Sequence, residues 1–326
     1  MGLRHSAPCW GSGVSEPIAK EKDPDTMPPS PLHASDGSID CTKLQILETL
    51  GHDSHGRTDR AMYKQKQVAV RTLNTLPRPT YLTQLRRAYS LRSPYTVAVL
   101  GILDASPGRP KIVTEWVDGY QLSRFLSYRS SGRRTNVNPS TLDIALAVAM
   151  GLDMIHEHGL IHGNLHPSKV FITSNEEIKL SDYGGSLHHE DPTFSRMFYE
   201  GEPYYWAPEL FDDFSNETPE ADMYAFGVIL TYLDTGVPPF GPDDRCRNSL
   251  LPDVVDNDLR PALRPNCPQW YKDLTHDCMS KEPAHRPKAS DVVELLIRHN
   301  GDSAFMDDGP FQPYYPPYPW LRKSSK

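Results

Sequence analysis

The sequence lacks three features that mark common classes of protein. Its five cysteines in 326 residues are an odd number with no Cys-x-x-Cys pair, so we expect reduced thiols and a cytoplasmic location. No run approaches the roughly 18 apolar residues that a membrane span needs, and residues 1–20 contain no apolar signal-peptide segment. Positive charge is also in deficit, with a net charge of −8, so we predict no nucleic-acid partner.

Proline, in contrast, is abundant and concentrated at the two ends. Residues 1–38 hold six of the 31 prolines and residues 299–326 hold five. Both segments lack apolar periodicity, which predicts an N-terminal disordered tail and a C-terminal Pro/Tyr-rich tail around a domain at 39–298. The proline- and tyrosine-rich run at 313–320 is interpreted as a disordered tail, as a tail that folds back on the domain, or as a ligand for polyproline-recognising modules.

The domain changes character near its middle. Short apolar or alternating runs with one helix predict a β-rich lobe at 39–117, and helical periodicity predicts a helical lobe at 118–298. The segment at 221–235 is apolar on nearly all sides, which predicts a buried central helix. A ligand cleft is expected where the lobes join. The predicted strands are 44–47, 68–70, 95–103 and 111–115, and the predicted helices are 79–91, 122–127, 139–157, 221–235, 270–280 and 290–298.

Six short motifs then follow one another along about 260 residues. In this order and spacing they resemble the signature set of the protein kinase superfamily, with local similarity to its tyrosine-kinase-like branch. The resemblance implies an α+β, bilobal fold with a β-rich N-lobe containing one helix and a mainly helical C-lobe. The motifs are Val68-Ala69-Val70-Arg71, Leu160-Ile161-His162-Gly163-Asn164-Leu165, Asp182-Tyr183-Gly184, Ala207-Pro208-Glu209, Asp222 with Phe226-Gly227, and Arg286.

The resemblance also implies a nucleotide site and a supporting scaffold. The scaffold positions of the family are kept at His162, Gly184, Glu209, Asp222 and Arg286. The implied nucleotide-binding positions are Gly51, Gly56, Ala69, Arg71, Thr114, Glu115, Trp116 and Phe171.

Four positions that carry the family's chemistry are changed. Asn164 stands where the family has the catalytic Asp, and a neutral amide cannot act as a general base, whose contribution is of order 10²–10⁴ in rate. Lys169 stands where an Asn binds the metal, and an ammonium offers no oxygen ligand. Arg71 replaces the phosphate-pairing Lys, and Gln84 replaces its Glu partner. The resemblance is therefore to a pseudokinase, and no metal site is predicted.

The loop that covers the phosphates in the family is also altered. Gly51 and Gly56 are kept, but Asp53 occupies the position of the second glycine. A carboxylate beside a triphosphate adds repulsion, which predicts weak ATP binding or none. No cofactor is required by this interpretation.

Asp182 has three interpretations. It is a metal ligand for bound nucleotide, or it forms an ion pair with Arg71 or Lys169 that closes the cleft. In a third hypothesis, Lys169 neutralises phosphate directly and ATP binds without metal.

Two functions remain at this point. The favoured one is a scaffold or allosteric regulator that binds other proteins, an active kinase among the candidates. The alternative is a divergent Ser/Thr protein kinase with residual phosphotransfer.

Regulation by phosphorylation of the activation segment is not expected, because Gly163 replaces the Arg that would hold the phosphate. Peripheral membrane association is expected only if Gly2 is myristoylated, with Cys9 as a second acylation site.

Overall fold

The structure is a computed structural model that describes most of the predicted domain and a short piece of the C-terminal tail. No helix in this described part is long and apolar enough to cross a membrane. The predicted N-terminal tail at 1–38 lies outside the described residues. These residues are 39–53, 56–74, 79–103, 111–184, 203–211, 218–241, 247–300 and 313–316.

The N-terminal lobe is an antiparallel sheet with one helix. Its five strands lie side by side in chain order, except that the fifth lies between the third and the fourth. Apolar residues from alternate positions of these strands, among them Val68, Val70 and Val113, form a buried cluster on one side of the sheet. The elements are β1 (Leu44–Asp53), β2 (Gly56–Tyr63), β3 (Lys66–Leu73), α1 (Pro79–Ala88), β4 (Val99–Leu103) and β5 (Lys111–Glu115).

Strand β2 is absent from the sequence-based prediction. Its sequence is rich in charged residues, and one of them, Asp59, is fully buried. The Asp59 carboxylate accepts hydrogen bonds from Thr49 Oγ1 at 2.7 Å and Arg57 Nε at 2.9 Å. Apolar alternation could not identify a strand whose inward face includes a carboxylate that neighbouring residues satisfy.

The C-terminal lobe is mainly helical, as predicted. Helix α4 (Pro219–Thr235) is buried along almost its whole length, in agreement with its apolar sequence. Thr218 caps its first turn, and Gly236 ends it with φ +67°, a left-handed conformation that favours glycine. The helices are α2 (Leu122–Ser130), α3 (Thr141–Glu157), α4 (Pro219–Thr235), α5 (Arg247–Asp256), α6 (Gln269–Cys278) and α7 (Ala289–Arg298). Helix α5, which contains Pro252, was not predicted.

A second, three-stranded sheet lies at the junction of the lobes. Its strands are β6 (Gly119–Gln121), β7 (Val170–Thr173) and β8 (Ile178–Leu180), in that order. Thr96 forms a parallel bridge with Leu180, which joins the N-terminal lobe to this sheet. The predicted strand at 95–103 therefore begins later, at Val99, because its first residues face β8.

The tail residues Pro313 to Pro316 lie against the helical lobe. The Tyr314 N–H donates to the carbonyl of Thr235 at 2.8 Å, and Pro316 is buried. This contact satisfies a carbonyl at the C-terminal end of α4, where helices leave such groups unpaired.

Candidate functional site

A cavity of about 370 Å³ lies between the two lobes, within the size range of small-molecule sites. Strands β1, β2, β3 and β5 of the N-terminal lobe contribute to its wall, and the segment from the short 3-10 helix Pro167–Lys169 to Asp182 contributes from the other lobe. Nine residues singled out in the sequence line it: Gly51, Ala69, Arg71, Thr114, Glu115, Trp116, Lys169, Phe171 and Asp182.

The ammonium of Lys169 lies directly against the carboxylate of Asp182. The Nζ to Oδ2 distance is 2.5 Å, and the Asp182 side chain is 38% exposed, on the side that faces the cavity. Asp182 has φ +55°, a conformation that is uncommon for a residue other than glycine and worth a functional explanation. Of the two cations considered as partners for Asp182, the structure places Lys169 in contact with it.

The charges of the site favour an ionised Asp182. Burial alone would raise the pKa of its carboxyl group, but the positive charges of Lys169 and Arg71 outweigh this effect and hold the pKa below its usual range. The carboxylate is therefore a fixed negative charge between two cations.

These residues do not fit a divalent metal ion. Mg²⁺ and Ca²⁺ require several oxygen ligands, and Lys169 supplies a cation where a ligand would be needed. No group of three His, Cys, Asp or Glu side chains suited to a metal occurs among the described residues. Asp182 is a carboxylate at a position where the kinase family binds a metal, and its Oδ2 already accepts a hydrogen bond from Lys169 Nζ.

Arg71 lies on β3 and reaches along the adjacent strand. Its Nη1 donates to the hydroxyl of Thr58 at 3.3 Å, and both residues line the cavity. On α1, the Oε1 of Gln84 is buried and accepts no hydrogen bond from any described residue. Gln84 Oε1 therefore makes no hydrogen bond that replaces the ion pair between Arg71 and a Glu at position 84.

The two glycines of the predicted phosphate loop differ in their surroundings. A Cβ on Gly56 would collide with the backbone carbonyl of Thr72 on β3, so the close approach of β2 and β3 requires glycine there. A Cβ on Gly51 would meet nothing within 4 Å. Gly51 lines the cavity, whereas Gly56 does not.

Asp222 at the start of α4 holds the loop that carries Asn164. Its carboxylate accepts from the backbone N–H of His162 at 2.7 Å and from that of Gly163 at 2.9 Å. Gly163 has φ +76°, which a glycine tolerates without strain. The carboxylate also contacts His156 Nε2 at 2.9 Å. Burial opposes ionisation of Asp222, but the bond to His156 lowers the pKa of its carboxyl group overall.

His156 belongs to no group of metal-binding side chains among the described residues. The structure instead places it on Asp222, while His158 Nδ1 contacts the carbonyl of Met154. Burial lowers the pKa of His166 to about 3 and also lowers the pKa of His162, so both rings are neutral near pH 7.

Glu209 and Arg286 form a bidentate ion pair in the helical lobe. Nη1 lies 2.6 Å from Oε1 and Nη2 lies 2.8 Å from Oε2. Arg286 also donates from Nε to the carbonyl of Ser280 at 2.9 Å, and its side chain is fully buried. The pair links the Ala-Pro-Glu segment to the turn before α7. In the sequence, only the motif resemblance indicated that these two residues would meet. Gly184, the last predicted scaffold residue, lies beside α1, where an added Cβ would be 4.0 Å from Ala88 Cβ.

A second buried ion pair was missed in the sequence. Lys179 on β8 places its Nζ 3.0 Å from Oε1 of Glu115 on β5, and both side chains are about 10% exposed. The same oxygen accepts from the backbone N–H of Ala98 at 3.0 Å. The available signal was a single lysine between the apolar residues of a short strand, Ile178 and Leu180.

Comparison with known sequences agrees with this geometry. The profile of the family described as "Protein tyrosine and serine/threonine kinase" matches residues 44–296, which is most of the chain. The chain belongs to the protein kinase family. This membership and the observed lobes confirm the predicted bilobal α+β kinase fold.

Individual relatives of this kinase-family chain are distant. It is 28% identical over 307 residues to tyrosine-protein kinase Abl of Drosophila melanogaster, in a match that covers 90% of the chain and 18% of that protein. It is 29% identical over 280 residues to serine/threonine-protein kinase mos of Xenopus laevis, covering 79% of the chain and 77% of mos. Serine/threonine/tyrosine-protein kinase HT1 of Arabidopsis thaliana is 24% identical over 294 residues, covering 87% of the chain and 73% of HT1.

Proposed function

We propose that this kinase-family protein is a pseudokinase that acts in the cytoplasm as a protein-binding scaffold or allosteric regulator. The observation that carries the proposal is the contact between Lys169 Nζ and Asp182 Oδ2 at 2.5 Å, in the cleft where kinases hold a metal ion. An ammonium at that position satisfies the charge of Asp182 from within the chain.

Phosphoryl transfer depends on positioning and on neutralising the charge of the phosphates. Here Lys169 takes part of the metal's place but coordinates nothing, since it has only donor hydrogens. A divalent ion would have to displace Lys169 from Asp182 and then tolerate its positive charge nearby. We therefore expect magnesium to add little to any nucleotide binding.

The proton-transfer group is also missing. Asn164 lies on the loop that Asp222 holds through the two preceding backbone N–H groups, so the loop is supported while its end carries a neutral amide. Loss of a general base alone costs about 10²–10⁴ in rate. The loss of the base and the changes at Lys169 and Gln84 all act on the same transition state. A single neighbouring group therefore cannot compensate for them.

A divergent Ser/Thr kinase is the second candidate. It is favoured by the names of the relatives, which are kinases, and by the survival of Asp182. Under this alternative, Asp182 remains necessary for transfer of phosphate to a protein hydroxyl.

Two measurements separate these functions. The first is a thermal-shift titration of the full chain with ATP, with and without magnesium. We expect no shift, or a small shift that does not depend on magnesium. The second is incorporation of radiolabelled phosphate into a generic protein substrate by the parent and by Asp182→Asn. Incorporation that the substitution abolishes would overturn the scaffold proposal and support the enzyme.

A gain-of-function variant provides the matched control. Lys169→Asn combined with Asn164→Asp restores an oxygen ligand and a base, and makes the net charge of these two positions more negative by two units. We expect this variant to show a magnesium-dependent thermal shift that Lys169→Met, which only removes the ammonium, does not show. Equal shifts in the two variants would contradict the role given to the metal-ligand position.

A further inference from the structure

Helix α2 and the turn after it form a positively charged strip in an acidic protein. Four arginines, at 124, 129, 133 and 134, occur within residues 119–142, and this stretch contains no Asp or Glu. The whole chain has a net charge of −8. The side chains of Arg124, Arg133 and Arg134 are exposed, so the strip faces solvent.

Two of these arginines are arranged around one tyrosine. The guanidinium of Arg124 lies 5.3 Å from the centre of the Tyr128 ring, and that of Arg133 lies 5.5 Å from it. Arg124 Nε also donates to the Tyr128 hydroxyl at 2.8 Å. Tyr120 packs edge-on against the same ring at 6.1 Å. The ring therefore holds two like charges in place on one surface.

The turn after α2 is built to return the chain to this ring. Ser131 ends the helix, and Gly132 has φ +69°, a left-handed conformation that favours glycine. The Arg133 N–H donates to the carbonyl of Tyr128 at 2.9 Å, which positions Arg133 beside the ring. The arrangement is thus set by the backbone and does not depend on the side chains alone.

Three of the four arginines of this strip have no acidic partner among the described residues. Within the described part of the chain, Arg124, Arg133 and Arg134 make no ion pair with Asp or Glu, although five arginines elsewhere do. Arg124 and Arg133 are already held against the Tyr128 ring, so pairing with a ligand costs them little further side-chain entropy. The five paired arginines are Arg57, Arg60, Arg260, Arg264 and Arg286.

We propose that Arg124, Tyr128, Arg133 and Arg134, here called the α2 arginine surface, bind an acidic segment of a partner protein. Guanidinium groups pair with carboxylates in a two-bond geometry, and three of them on one helix and turn match a short run of Asp and Glu. A nucleic acid or a membrane surface would call for a wider basic face, which an acidic chain does not supply. The inference deepens the proposed scaffold function and rests on it.

The surface adjoins the cleft. Gln121, which precedes α2, lines the cavity, and Ser123 Oγ lies 3.1 Å from Ser168 Oγ on the turn that carries Lys169. Arg124 follows Ser123 directly in the chain, so the first turn of α2 connects the α2 arginine surface to the turn that carries Lys169. A partner on this surface is placed to influence the cleft through one short helix.

The test is direct binding of an acidic peptide to the full chain. The probe is a rhodamine-labelled decapeptide of Asp and Glu, measured by fluorescence anisotropy, with a decapeptide of Asn and Gln as the neutral control. We expect the acidic peptide to bind, the neutral peptide not to bind, and the triple substitution Arg124→Gln, Arg133→Gln and Arg134→Gln to weaken binding at least tenfold. Binding should also weaken between about 0.05 M and 0.15 M salt, because these charges are exposed.

The matched control removes three charges from another surface. Lys281→Gln, Lys288→Gln and Arg298→Gln change exposed residues around α7 and alter the net charge by the same amount. We expect this variant to bind the acidic peptide within twofold of the parent. Equal weakening in both triple variants would overturn the proposal, because binding would then follow net charge and not the α2 arginine surface.

Other probes settle the class of ligand and the relation to the scaffold function. An RNA decamer or phosphatidylserine vesicles that bind through these arginines more tightly than the acidic peptide would overturn the proposal, as would no peptide binding by the parent. The assay contains no nucleotide, so its failure is distinct from failure of the scaffold function. Asp182-dependent phosphotransfer with intact peptide binding would remove the scaffold function and leave the surface as a docking site for acidic substrates.

Discussion

Two ion pairs of this kinase-family chain, one in the helical lobe and one in the cleft, differ in their hydrogen bonding and in their exposure to solvent. Arg286 and Glu209 meet through two hydrogen bonds, and the arginine side chain has no exposed surface. Lys169 and Asp182 meet through a single contact beside an open cavity, and Asp182 is 38% exposed. The first pair matches the kinase motif, whereas the second joins a motif residue to one that departs from it.

The difference separates an ion pair that stabilises the fold from one that affects the function of the cleft. The helical-lobe pair satisfies buried groups that would be costly to leave alone, so it is needed for folding whatever the cleft does. The cleft pair satisfies Asp182 in a place where water can also reach it, so its loss is mainly a loss of function. The following predictions test this division, in order of expected effect on stability.

The largest effect is expected for Arg286→Ala. It leaves the Glu209 carboxylate unpaired and removes donors from the carbonyls of Ser280 and Glu220, so we expect a loss of about 3–5 kcal/mol in the free energy of unfolding. Urea unfolding followed by circular dichroism measures it. The control Arg298→Ala, on the exposed side of α7, should change stability by less than about 0.5 kcal/mol. A loss below about 1 kcal/mol for Arg286→Ala would contradict the division.

Lys179→Met tests the buried pair at the junction of the lobes. It leaves the buried Glu115 carboxylate with the Ala98 N–H as its donor and without the ammonium of Lys179. We therefore expect a loss of about 3 kcal/mol in the free energy of unfolding. The double variant Glu115→Gln with Lys179→Met should lose less than the single one, since no buried charge remains. Additive losses in the double variant would show that the two residues do not act as a pair.

Stability should also depend on pH through the loop beside the cleft. Burial lowers the pKa of His166 to about 3, while the unfolded chain binds this proton near pH 6.5. The neutral ring therefore stabilises the fold fully above about pH 6.5, and this contribution falls by up to about 1.4 kcal/mol per pH unit as the pH drops toward 3. Urea titrations at pH 7, 6 and 5 measure the slope. His166→Phe should reduce the slope, and an unchanged slope would assign the effect to other groups.

The smallest effect is expected for Lys169→Met. Because Asp182 opens onto the cavity, water replaces the ammonium, and the free energy of unfolding should change by less than about 1 kcal/mol. Lys281→Met is the matched exposed control. A loss as large as that of Arg286→Ala would show that the cleft pair is part of the folding scaffold, and the distinction between the two pairs would disappear.

Much of the fold could be predicted from local pattern. Helix α4 is apolar on all sides and is buried, and the short alternating runs of the N-terminal lobe form strands. These predictions succeed because burial of a face acts on residues that are near one another in sequence. The resemblance to protein kinases implied which residues would meet at the cleft, and nine of them line one cavity.

Two of the strands that escaped prediction share a physical cause. Strand β2 carries a buried Asp59 that its neighbours satisfy, and strand β8 carries Lys179, which Glu115 satisfies from 64 residues away. In both cases a charged residue interrupts the apolar pattern, and the partner that permits its burial is invisible in the local sequence.

By itself, the sequence determined the family resemblance and the order of the lobes, and it predicted the replacement of Asp, Asn, Lys and Glu at the catalytic positions of the family. Only the tertiary structure decided that Asp182 contacts Lys169, that His156 contacts Asp222 from 66 residues away, and that Arg124 and Arg133 share the ring of Tyr128. The reason is that charge and residue type are properties of the chain, whereas the choice among partners depends on distances of a few ångströms. Those distances exist only after the loops and helices have packed together.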